Sequence, residues 1–184
     1  MTAPAAGTIL ATGATVWLTG LPSAGKTTLA RSLAAQLDRP VELLDGDEVR
    51  EFLSQGLGFS RRDRDTNVLR IGWVAATLAR HGVLVLASVI SPFADTRARV
   101  RALHEQRGAG FVEVHVATPV QVCSDRDVKG LYAKQAAGEL IGLTGVDAPY
   151  EVPGEPDAVV RTHEQSLEES VAQLLEVLRD RGLA

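Results

Sequence analysis

The chain has 184 residues, about one domain with a single core, and folding should bury roughly 70% of the surface its unfolded form exposes. A net charge of −4 and a pI near 5.6 give no general affinity for nucleic acid or for an anionic membrane, so anionic ligands must be met by local basic clusters. The single cysteine, Cys123, excludes an internal disulfide framework and a cysteine-based zinc cluster, and it fits a reducing, cytoplasmic setting.

Residues 1 to 13 are Ala, Gly, Thr and Pro-rich with no positive n-region, and they read as a flexible leader rather than a signal peptide. No stretch approaches the roughly 20 apolar residues of a membrane span. Strand patterns are predicted at 14 to 19, 41 to 44, 83 to 90, 111 to 117 and 157 to 161. Helical patterns alternate with them at 26 to 37, 47 to 54, 63 to 81, 93 to 106, 119 to 125 and 167 to 181. Ser60 and Ser166 open capping boxes with Asp63 and Glu169, and Gly82 and Gly182 mark helix stops. The alternation argues for an α/β fold: a parallel five-stranded sheet with helices on both faces, in one domain from 14 to 184. From Arg126 to Pro153 the rhythm fails, in a glycine- and proline-containing stretch that reads as a lid.

Gly20-Leu-Pro-Ser-Ala-Gly-Lys-Thr27 joins the first strand to the first helix. Its glycines let successive amides turn toward a polyphosphate, the helix adds its positive end, Lys26 suits the β and γ phosphates, and the Thr27 hydroxyl suits Mg²⁺. Only three of 19 basic residues are lysines, Lys26, Lys129 and Lys134, which hints that a compact ammonium is needed at these places.

Asp45-Gly-Asp47 follows the second strand and puts two carboxylates at the sheet's carboxyl edge, where α/β proteins bind ligands. One suits Mg²⁺ and the other the proton of an attacking hydroxyl; the residue types do not decide which is which. Arg50 follows on the same helical face. Arg64, Asn67 and Arg70 recur at helical spacing and, with Arg50, Arg61 and Arg62, form a basic cluster in an acidic chain, suited to an anionic acceptor. Phe59, on a glycine-flanked loop, suits stacking on a base or anchoring a core. Ile90-Ser91-Pro ends the longest strand, where the serine meets a ligand through its hydroxyl or backbone. No aspartate closes that strand and no guanine-reading Thr/Asn-Lys-x-Asp motif occurs, which argues against a GTPase.

These motifs, followed by Arg126-Asp-Val-Lys-Gly-Leu-Tyr132 and Leu143-Thr-Gly-Val-Asp-Ala-Pro-Tyr150, resemble the adenylylsulfate kinase family from about residue 13 to 182. The resemblance implies transfer of the ATP γ-phosphoryl group to the 3′-hydroxyl of adenosine 5′-phosphosulfate, with Mg²⁺, in sulfate assimilation. It implies that Gly20, Leu21, Pro22, Ser23, Ala24, Gly25, Lys26, Thr27 and Thr28 cradle ATP. Thr27 and Asp45 would meet the metal, and Lys26, Asp45, Asp47 and Ser91 would be the catalytic group. Arg126 would pack on the ATP base. Asp47, Arg50, Phe59, Arg64, Asn67, Ile90, Ser91, Lys129 and Leu143 would meet the acceptor, with Lys129 and Lys134 in the lid. Relatives are often dimers, so a homodimer is expected, with an ATP sulfurylase as a further partner. Leu143, Val128, Ala133 and Thr66 stand where the family usually has Phe, Pro, Lys and Glu, and another small-metabolite P-loop kinase is the alternative reading.

Overall fold

The computed structural model describes residues 13–184, so the expected leader lies, except for Gly13, outside the described residues. In chain order the elements are β1 (Ala14–Thr19), α1 (Lys26–Ala34), β2 (Val41–Asp45), α2 (Gly46–Phe52), α3 (Arg61–Ala79), β3 (Leu84–Ser88), α4 (Ala94–Gln106), β4 (Gly110–Val116), α5 (Val120–Arg126), α6 (Leu131–Ala136), β5 (Ala158–Val160) and α7 (Leu167–Asp180). The strands form one parallel sheet in the order β2-β3-β1-β4-β5. The chain after β1 therefore emerges at the carboxyl edge between β3 and β4. All five loops that follow the strands meet along that edge.

Alternation along the central strands sorts side chains into two cores, one on each face. Ala14, Val16 and Leu18 of β1 join Leu84 and Leu86 of β3 against Leu29, Leu33, Leu174 and Leu178 of α1 and α7. Trp17, Val85 and Ala87 point the other way, against Val68, Ile71, Ala75 and Val100 of α3 and α4. The two helices of that face approach closely because Gly72 lacks a side chain: a Cβ there would stand 2.8 Å from a Val100 methyl.

The expected strand 83 to 90 is shorter, ending at Ser88, and α1 stops at Ala34 rather than 37 because its last turns close on Leu33 and Ala34 carbonyls. Helix α6 was not expected. Its six residues are too few to show a period, and its N-terminus is held by Asp127, whose carboxylate accepts the N–H groups of Tyr132 and Ala133. The region from 126 to 153 is thus partly helical rather than a plain loop.

Two buried polar groups brace the sheet. Arg97 is 3% exposed and its guanidinium donates to Glu113 Oε1 at 2.7 Å, to the Ser91 carbonyl at 2.8 Å and to the Glu151 carbonyl at 2.8 Å. It fastens the loop after β3 to the segment at Glu151. His104 is fully buried on Phe111, with Nδ1 at 2.8 Å from the Val100 carbonyl and Nε2 at 2.7 Å from Thr15 Oγ1. A neutral ring protonated at Nδ1 satisfies both bonds. Burial, helped by the Arg107 and Arg101 cations, lowers its pKa below the ordinary 6.5. A group that prefers to be neutral when folded contributes its full stability above the unfolded pKa and loses it as pH falls below that value. Urea unfolding of the native chain should therefore show a drop in stability from pH 7 to pH 5 that is smaller in His104→Gln, which cannot titrate; equal drops in both would show that another group is responsible.

Candidate active site

The phosphate loop closes tightly against β4. A Cβ on Gly20 would lie 2.6 Å from the Val116 carbonyl oxygen, so only glycine fits there. Gly25 caps α1 with φ of 99°, a left-handed conformation that glycine adopts without strain. The loop wraps around Lys26, whose Nζ donates to the Gly20 carbonyl at 3.0 Å and the Leu21 carbonyl at 2.7 Å. Burial pulls the Lys26 pKa down from 10.5 to about 8, with the nearby Lys129 cation acting in the same direction and Cys123 and Asp45 opposing it.

Beside the loop, the Thr27 hydroxyl donates to Asp45 Oδ2 at 2.6 Å, while Asp45 Oδ1 accepts the Asp47 N–H at 3.0 Å and caps α2. Thr27 and Asp45 thus present a hydroxyl and a carboxylate side by side, the hard oxygen donors that suit Mg²⁺ when phosphates and water complete its shell. Asp47 has no such constraint. Its side chain is exposed and forms an ion pair with Lys129, just after α5. The geometry separates two carboxylates that the residue pattern left interchangeable.

Phe59 stands 63% exposed beyond α2, with the Arg50 guanidinium 4.3 Å from its ring centre and that of Arg64 at 5.6 Å. Phe59 is therefore an exposed ring covered in part by arginine rather than a core anchor. Arg64 is largely committed to the protein: Nε donates to the Phe59 carbonyl at 2.8 Å, and the two terminal nitrogens donate to Thr144 Oγ1 at 2.8 Å and the Gly142 carbonyl at 2.6 Å. Partial burial and the Arg50 charge lower its pKa from 12.5, and the guanidinium remains charged. Asn67 is buried and its side-chain oxygen accepts the Ser54 hydroxyl. The expected basic cluster divides, since Arg61 pairs with Asp95 at 2.8 Å and Arg70 donates to the Leu53 carbonyl.

Two expected site residues are buried. Ser91 is 1% exposed, with its hydroxyl accepting from the Trp17 indole at 2.9 Å. Leu143 is 5% exposed within the larger core. Ile90 is half-buried, and its carbonyl accepts the Thr19 hydroxyl at 2.7 Å. Lys134 lies exposed at the end of α6.

The turn from 142 to 150 connects both sides of the edge. Asp147 accepts the Gly142 and Leu143 N–H groups, bonds that hold its carboxyl below the usual range. Gly145 sits against Leu21, where a Cβ would be 2.5 Å from a leucine methyl. Leu21 and the residues from Gly145 to Tyr150 line a cleft of about 490 Å³. Tyr150, one of these, is bonded through its hydroxyl to Thr19 at 3.0 Å, and burial pushes its pKa up to about 12.

Beyond the residues singled out from sequence are Thr19, Thr118, Thr144, Asp147 and Thr162. The last strands deliver Thr118 and Thr162 to the phosphate loop, where Arg126 donates to Thr162 Oγ1 at 2.9 Å and to its carbonyl at 2.8 Å. Asp147 and Thr144 lie in a quoted motif; Thr118 and Thr162 have no local signal.

The family model described as adenylylsulphate kinase matches residues 12–161. An adenylyl-sulfate kinase of Myxococcus xanthus is 55% identical over 173 residues, covering 93% of this chain and 94% of the relative. One from Chloroflexus aurantiacus is 55% identical over 169 residues, covering 90% and 89%. Among solved structures, an adenylylsulfate kinase of Mycobacterium tuberculosis in complex with AMPPNP and adenylylsulfate superposes with a TM-score of 0.88 at 42% identity, covering 91% of this chain and 98% of that one. A hexameric adenylylsulfate kinase from Thiobacillus denitrificans has a TM-score of 0.71 at 37% identity and covers 95% of this chain and 30% of that one.

If Arg64 holds the 142–150 turn as the geometry indicates, Arg64→Ala should speed amide exchange at Gly142 and Leu143 in the full chain, and Arg64→Lys, which keeps the charge but not the fork, should not restore protection. Unchanged exchange in both variants would remove the latch.

Proposed function

This chain belongs to the adenylylsulfate kinase family, and from that premise we propose that it transfers the γ-phosphoryl group of ATP to the 3′-hydroxyl of adenosine 5′-phosphosulfate, releasing ADP and the 3′-phosphorylated product. The observation that carries the reading is the 142–150 turn, which touches the phosphate loop through Leu21 and the acceptor-side arginine through Gly142 and Thr144. One segment thus spans a donor half and an acceptor half, as a two-substrate kinase requires.

Lys26 and the loop amides from Gly20 to Thr28 would hold the triphosphate, and the buried ammonium would meet charge that develops on the moving phosphoryl group. Thr27 and Asp45 would hold Mg²⁺, which when bound neutralises phosphate charge. Asp47, exposed and free of the capping bonds that tie Asp45, would take the proton of the attacking 3′-hydroxyl. Phe59 would stack on the acceptor base, with Arg50 and Arg64 supplying positive charge beside it. Arg126, fixed by Thr162, would lie along the donor base.

The segment from 126 to 153 would be the closing lid, and its Lys129 meets Asp47 in the present arrangement. Substrate entry would therefore exchange that ion pair for contacts to the acceptor. We also place the chain in the cytoplasm, since its one cysteine is free and buried and no described helix is long and apolar enough to cross a membrane. Exposed Leu43, Phe52 and Leu53, on the edge strand β2 and at α2, support a homodimer. An ATP sulfurylase, which makes this acceptor, is the partner that the substrate chemistry suggests.

With Mg-ATP and adenosine 5′-phosphosulfate, the purified chain should form the 3′-phosphorylated product; a folded, ATP-binding sample that forms none, or that turns over another hydroxyl substrate with far higher kcat/KM, would overturn the reading. Lys26→Ala should lower kcat by roughly two to three powers of ten while the chain stays folded.

A further inference from the structure

Three side chains from distant parts of the chain converge on one peptide of the phosphate loop. Thr118, two residues beyond β4, donates its hydroxyl to the Ala24 carbonyl at 3.0 Å. Thr162, two residues beyond β5, stands 2.9 Å from the same oxygen, and the two hydroxyls are 2.8 Å apart, so their two protons are shared among these three contacts, with either threonine able to donate to the carbonyl. Arg126 Nη1 lies 3.4 Å from that oxygen and 2.9 Å from Thr162 Oγ1. The Thr162 methyl also stands 3.6 Å from where a Cβ on Gly25 would lie. The cluster is built from the loops after two neighbouring parallel strands, and a carbonyl needs no more than two donors.

A trans peptide is planar, so its C=O and the following N–H point in opposite directions. Fixing the Ala24 carbonyl toward Thr118 and Thr162 therefore fixes the Gly25 N–H toward the other side, the concave side around Lys26. Gly25, with its left-handed φ of 99°, is a hinge at which this peptide would otherwise be free to flip. We propose that Thr118 and Thr162 are positioning residues for the donor phosphates, acting through the Ala24–Gly25 peptide to aim the Gly25 N–H at a phosphate oxygen. The inference rests on the reading of this loop as the ATP cradle. It adds that the cradle is held in its binding-competent form by the ends of β4 and β5 before any ligand arrives. Such preorganisation costs no reordering at the moment of binding.

Valine keeps the shape of threonine without its hydroxyl, and serine keeps the hydroxyl without its methyl. Calorimetric titration of the full chain with Mg-ADP should show about tenfold weaker binding in Thr162→Val and binding within about twofold of the native value in Thr162→Ser. The acceptor KM at saturating ATP should stay unchanged in Thr162→Val, and the Gly25 amide resonance should move in that variant but not in Thr162→Ser. Native ADP affinity in the valine variant would overturn the proposal. So would a serine variant as weak as the valine one, which would assign the effect to methyl packing on Gly25. A native chain that binds no ADP would instead overturn the cradle reading itself, and this shows before any variant is made. Should Thr162→Val fail to fold, Thr118→Val removes the other hydroxyl on the same oxygen and must show the same loss of ADP affinity, or the proposal falls.

Discussion

The Lys26 ammonium sits among backbone carbonyls, buried, at the start of a helix whose own dipole also repels a cation. Holding that charge costs on the order of 3 kcal/mol relative to water, the equivalent of the fall in pKa from 10.5 to about 8. The cost is fully present below about pH 8 and fades as pH rises toward 10.5. A triphosphate removes it by supplying the missing negative charge. The rest of the edge is arranged around that incomplete electrostatic balance: a glycine-bounded loop to bring carbonyls inward, Thr27 and Asp45 beside it, and β4 and β5 to stiffen it.

Sheet topology explains why so many separate segments reach one place. With β1 central and its neighbours β3 and β4 on either side, the loops after every strand open at the same edge. β1 supplies the phosphate loop, β2 supplies Asp45, and β3 supplies the loop at Ser91 that Arg97 ties to the segment at Glu151. β4 and β5 supply the two threonines. Each contribution is one residue or a short turn, and the apolar alternation of the strands behind them carries the stability. The division lets the edge hold buried polar groups such as Lys26, Ser91 and Arg97 without weakening the core.

The elements visible in the sequence are those with a long period or a local signature. The apolar run of β1, the helical pattern of α7 and the serine caps of α3 and α7 all involve residues within a few positions of one another. The glycine loop and Asp45-Gly-Asp47 were legible for the same reason. What escaped depends on distance along the chain: Thr162 meets Ala24 across 138 residues and Thr118 across 94, through single hydroxyls that any surface threonine also has. Ser91 was read from its neighbours as a residue of the sheet's edge, and its bond to Trp17, 74 residues away, has no local signal. Helix α6 escaped because the carboxylate that holds its N-terminus, Asp127, lies four residues before its first helical residue, beyond a left-handed glycine. Arg64 was singled out for an anionic ligand, and its three nitrogens each donate to the protein itself.

With only three lysines in the chain, the charge state of Lys26 can be observed directly. Titration of its ¹³Cε resonance by NMR, assigned by its loss in Lys26→Arg, should give a midpoint near 8 in the free protein, rising above about 10 with Mg²⁺ and β,γ-imido-ATP. A midpoint already near the ordinary lysine value in the free protein, or one that nucleotide leaves unmoved, would contradict the view that this edge is built around a buried cation awaiting an anion.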